Sequence, residues 1–133
     1  MERPEIVELL FSALTLAHDA EPLSQFLSAR VEWVLSTADP KTLGEESPPN
    51  AIKFSGKQGF QELALYLRDS LHVISGDLTG CIMHHQLIFA FGRVRLQSPG
   101  ASQPVETNIA ARITFLRSKI TKGQIRISWP LVF

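Results

Sequence analysis

The sequence predicts an α+β fold, with helices first and a meander of strands after them. Three observations carry this. The opening segment is almost wholly apolar, a second helical stripe runs over residues 57–71, and from about residue 79 onward the pattern turns to strands separated by turn residues. This order differs from the strand–helix–strand repeat of a parallel α/β sheet.

The first helix is expected from Pro4 to Ala17. Proline suits a first helical turn and Glu5 complements the helix N-terminus. Glu5, Glu8, Ser12 and Thr15 form a narrow polar stripe beside Ile6, Val7, Leu10, Phe11 and Leu14, so most of this helix is expected to be buried. A short helix follows over Pro22–Leu27. Ala29–Ser36 reads as a strand, with Val31, Trp33 and Leu35 alternating against Arg30, Glu32 and Ser36, which turns Trp33 to the apolar side. Thr37–Ser55 contains Pro40, Gly44, Pro48, Pro49 and Asn50 and reads as one long loop.

The third helix spans Lys57–Leu71, with Phe60, Leu63, Ala64, Leu67 and Leu71 on one stripe and Tyr66 on its flank. Strands are then expected over Thr79–His84, Leu87–Gln97 and Val105–Leu116, with a turn region at Ser98–Pro104. The last strand ends near Trp129, and Lys122-Gly123 is the expected hairpin turn before it. Gly76 and Gly80 read as turn glycines, and no glycine-rich strand-to-helix phosphate loop is present.

At 133 residues, the chain fits one domain spanning 1–133, and 44% hydrophobic against 20% charged residues supports a packed core. The formal net charge is zero, which argues against a general nucleic-acid binder. The charge is nonetheless polarised. Residues 1–77 hold twelve of the thirteen acids, while residues 78–133 hold seven Lys/Arg and one acid, Glu106. This reads either as a basic sheet face balanced by acidic helices and loops, or as an anion-binding surface on the sheet. Cys81 has no partner for an internal disulfide and reads as buried filler. There is no apolar run of about 20 residues to cross a membrane, and the start Met-Glu-Arg-Pro-Glu lacks a signal pattern. The expected location is the cytoplasm.

The segments F-S-A-L-T-L-A-H-D, A-R-V-E-W, S-G-K-Q-G-F-Q-E-L, H-H-Q-L-I-F-A-F-G-R-V, A-R-I-T-F and K-G-Q-I, in this order from Ile6 to Trp129, resemble the nuclear-transport-factor-2-like superfamily, in its SnoaL-like and ketosteroid-isomerase-like branches. The resemblance implies a cone. N-terminal helices pack in a curved, mixed but mainly antiparallel sheet, with a pocket at the open end and often a homodimer through the outer sheet face. The same cone serves isomerases, cyclases, hydrolases, binders and interaction modules, so fold alone does not assign function.

Ketosteroid isomerases use a carboxylate base, a phenol and a protonated acid to stabilise a dienolate. By the resemblance, the phenol position falls on Phe11, the base on Trp33 and the protonated acid on Ala111. None of these can perform its role, so isomerisation by that mechanism is not expected. Asp39 and Asp77 read as loop residues without obvious partners. Phe11, Trp33, Ile109, Ala111 and Ile113 are expected to converge, with Trp129 or Tyr66 nearby, and either line an apolar aromatic pocket or fill the core. The buried indole N–H would want a partner.

Three functions stay open: a binder of a small apolar molecule, a SnoaL-like enzyme using His85 or Tyr66 as acid/base, and a dimeric interaction module with a closed core. His84-His85 reads first as a strand end, because adjacent strand residues face opposite ways and a metal would need a third ligand. No metal, cofactor, nucleic-acid or membrane partner is expected. Arg112 shares the outward face of its strand with Thr114, at an interface or as an anion ligand.

Overall fold

The structure, a computed structural model, describes residues 3–15, 21–36, 51–97, 100 and 102–127. Helix α1 (Arg3–Thr15) and the one-turn α2 (Glu21–Ser24) lead into β1 (Leu27–Ser36). Strand β2 (Ile52–Ser55), helix α3 (Gly56–Asp69) and strands β3 (Val73–His84), β4 (Leu87–Leu96), β5 (Val105–Leu116) and β6 (Lys119–Ile127) follow. The six strands form one sheet in the order β2-β1-β6-β5-β4-β3. Only β1 and β6 pair in parallel; the other neighbours are antiparallel. The fold is therefore α+β with a mixed, mainly antiparallel sheet.

One face of the sheet carries the helices. Ile6, Val7, Leu10, Phe11 and Leu14 of α1 join Phe60, Leu63 and Leu67 of α3 in a core with Val31, Trp33 and Leu35 of β1. Strand alternation supplies the floor: Ile88, Ala90 and Val94 of β4, Ile109, Ala111, Ile113 and Phe115 of β5, and Ile120, Ile125 and Ile127 of β6. Glu5 and Glu8 remain exposed, as the polar stripe of α1 requires.

Several boundaries differ from the sequence expectation, each for a physical reason. β2 lies inside the segment expected to be a loop. Its four residues are too few to show alternation, and pairing to β1, with Phe54 opposite Trp33, defines it. α3 stops at Asp69, because His72 takes a left-handed backbone (φ 58°) that turns the chain into β3. The His72 carbonyl then accepts from Gln97 N–H at 2.9 Å.

β3 begins six residues earlier than expected and absorbs Gly76 and Gly80, which are strand residues opposite Val94 and Phe91 and not turn residues. Gly80 follows a bulge that leaves Thr79 unpaired, a place where glycine is common in strands. Asp77 is likewise a strand residue, opposite Arg93. Beyond Thr79 this edge strand outruns the helices. Cys81 is therefore exposed, not buried, beside exposed Ile82 and Met83.

The last hairpin turns at Arg117-Ser118, with Arg117 at φ 60°, and not at Lys122-Gly123. Gly123 sits inside β6 opposite Trp33, and a Cβ there would fall on the six-membered ring of the indole. Glycine serves close packing here, not a turn. Trp129, Asp39 and His18 lie outside the described residues.

Candidate functional site

β1 alternation and the parallel pairing with β6 together place Trp33. Its ring lies over the bare backbone of Gly123 and packs against Phe60 of α3, centroids 5.1 Å apart at 53°. Such a pair contributes about 0.5–1.5 kcal/mol beyond area burial. Trp33 is fully buried, yet its Nε1 has no hydrogen-bond partner among the described residues. A buried donor without an acceptor costs about 1–3 kcal/mol.

Phe11 reaches the same interior from α1. Gly92 of β4 makes room for it, since a Cβ there would approach Phe11 Cε2 to 2.7 Å. Thus the two largest inward aromatics of the expected set each sit against a glycine on the sheet. Ile109, Ala111 and Ile113 face the same side, with Ile113 paired to Gly123 and Ala111 between Ala90 and Ile125. The structure therefore brings Phe11, Trp33, Ile109, Ala111 and Ile113 into one core. Phe60 and Gly123 complete the setting of Trp33. The sequence signal for Gly123 was a glycine within a strand, which becomes specific only once the parallel register is known.

Phe11 also floors a groove of about 300 Å³ between α1 and β3, rimmed by Glu8, Ser12, Gly76, Asp77 and Leu78. Glu8 puts a carboxylate at that rim, whereas Asp77, opposite Arg93, belongs by register to the other face of the sheet.

The two acid/base candidates stand apart from this core. His85 is exposed on the β3–β4 turn at φ 55°, with its ring edge-on to His84 at 4.3 Å. That is the strand-end position expected for the pair. Tyr66 is half-buried on α3 and faces Phe54, centroids 6.2 Å apart. Among the described residues, no group of three His, Cys, Asp or Glu side chains is placed to hold a metal ion. No described helix is long and apolar enough to cross a membrane.

The architecture matches solved structures along nearly its whole length. A protein with a ketosteroid-isomerase-like fold from Catenulispora acidiphila, in complex with trimethylamine, superposes with a TM-score of 0.70 at 16% identity, covering 96% of this chain and 88% of the other. A protein from Jannaschia sp., named as a SnoaL-like polyketide cyclase, gives 0.69 at 10% identity over 93% and 83%. TerC, co-crystallised with polyporic acid, gives 0.67 at 16% identity over 94% and 90%. No protein-family model matches the sequence, and no curated protein matches it. The chain thus has the nuclear-transport-factor-2-like cone fold, in the form shared by ketosteroid-isomerase-like and SnoaL-like proteins.

Proposed function

We propose that this protein is a binder of a small apolar molecule that carries one hydrogen-bond acceptor, and that the Trp33 indole N–H is the group that recognises it. The observation that carries this reading is the buried, unpartnered Nε1 of Trp33. Stacking on Phe60 would be served as well by a phenylalanine, without the cost of a desolvated N–H. A ketone, ester or ether oxygen at Nε1 offsets that cost, while Phe11, Ile109, Ala111 and Ile113 offer apolar surface on the same side. Trp129 is proposed to close the set.

The absence of a carboxylate or phenol at residues 11, 33 and 111 supports binding over turnover by the enolate route. His85, exposed on a hairpin, and Tyr66, turned to Phe54, offer the acid/base reading little geometry. Assembly as a homodimer through the outer sheet face is part of the proposal and is supported by exposed Phe91 on β4 and Ile82 on β3. A cytoplasmic location fits the single exposed thiol.

Fluorescence titration tests the binding claim. In a Trp129→Phe chain, Trp33 is the remaining tryptophan. Cyclic ketones should change its emission saturably and bind more tightly than hydrocarbons of the same shape. A Trp33 signal indifferent to both, or equal affinity for ketone and hydrocarbon, would refute recognition by the indole N–H.

A further inference from the structure

Arg112 interrupts the otherwise apolar run of β5, and alternation sends it to the face opposite Ala111 and Ile113, away from the helices. Antiparallel pairing with β6 sets Gln124 opposite Arg112 and Lys122 opposite Thr114. These four side chains line a hollow of about 80 Å³. A water in the liquid occupies about 30 Å³, so this space suits two or three waters or one small oxyanion.

The donors outnumber the acceptors. A guanidinium, an ammonium, an amide and a hydroxyl surround the hollow, and among the described residues no carboxylate lines it. Arg112 Nε is buried and has no hydrogen-bond partner among the described residues. The carboxylate that strand register brings nearest is exposed Glu32, opposite Lys122 across the β1–β6 pair, and the two form no ion pair. A desolvated guanidinium N–H without an acceptor is unfavourable, and an oxyanion satisfies it with charge-assisted, two-pronged geometry.

We propose that Arg112, Lys122, Gln124 and Thr114 form a binding site for a carboxylate or phosphate group on the outer face of the sheet. The site lies on the opposite side of the sheet from Trp33 and does not depend on the interior reading. The oxyanion comes either from a free small molecule or from a carboxylate of a second copy of this chain.

The test is calorimetric titration of the full chain with sodium phosphate and with sodium acetate, at constant ionic strength to remove general screening. Light scattering runs in parallel on the wild type, Arg112→Gln, Lys122→Gln and the charge-conserving Arg112→Lys. Circular dichroism confirms that each variant is folded. A free anion gives saturable binding that Arg112→Gln weakens at least about tenfold, Lys122→Gln less, and Arg112→Lys partly restores. A carboxylate of a second copy shows instead as dimer dissociation by phosphate and by Arg112→Gln, but not by matched chloride. Absence of saturable anion binding together with an Arg112→Gln oligomer unchanged in mass overturns the proposal. So does anion binding that Arg112→Gln leaves intact.

Discussion

At the scale of single residues, the energetics of Trp33 set the problem. Its contact with Phe60 contributes about 0.5–1.5 kcal/mol, and its unsatisfied N–H costs about 1–3 kcal/mol, so stacking alone does not account for an indole at this place. The ring further requires a neighbour with no side chain. Gly123→Ala puts a methyl group on the indole, inside a sheet whose backbone cannot withdraw. It should destabilise the protein by about 1–3 kcal/mol, the usual cost of overpacking. Gly80→Ala is the matched control, because a Cβ at Gly80 meets nothing within 4 Å and its φ is not positive. It should stay within about 0.5 kcal/mol of the wild type. Urea denaturation of the two variants measures both, and equal stabilities would show that the slot over Gly123 is not tight.

Among the elements, those defined by their own residues were legible and those defined by pairing were not. The apolar stripes of α1 and α3, and the alternation of β1 and β5, could be read directly, and so could the inward turn of Trp33 and the outward turn of Arg112. β2 was invisible because four residues flanked by Pro48, Pro49 and Asn50 carry no period. Gly76, Gly80 and Gly123 were taken for turn formers because a glycine in the sequence does not reveal whether it serves a turn, a bulge or a ring packed against its backbone. The turn at Arg117-Ser118 escaped for the complementary reason: Arg117 holds a positive φ without being glycine, as does His85 at the β3–β4 turn that the strand ends did reveal. An L-residue in the left-handed region carries a cost of roughly 1–2 kcal/mol. His85→Gly should therefore raise stability by up to about 1 kcal/mol, after loss of the ring contact with His84, and leave ligand affinity unchanged. Thermal denaturation and the ketone titration check the two halves. A loss of binding in His85→Gly would restore His85 as a site residue.

For the whole molecule, one sheet has two faces with different chemistry. Among the described residues, the face under α1 and α3 is mainly apolar, and the other carries Lys53, Arg93, Arg95, Arg112, Lys122 and Arg126 against Glu32, Asp77 and Glu106. The polarisation of charge along the sequence is thus a polarisation across the sheet. If the outer face joins two copies, light scattering at micromolar concentration should give twice the 14.8 kDa chain mass, and Phe91→Glu should halve it. A monomer in both would remove the dimer from the account. The interior claim is tested most directly by the ¹H–¹⁵N resonance of the Trp33 indole in the Trp129→Phe chain, recorded during titration with cyclohexanone and then with cyclohexane. A saturable downfield shift of the Nε1 proton is expected with the ketone and little change with the hydrocarbon, as a new hydrogen bond to a carbonyl oxygen requires. An indole resonance that stays in place at saturating ketone would contradict the interior claim.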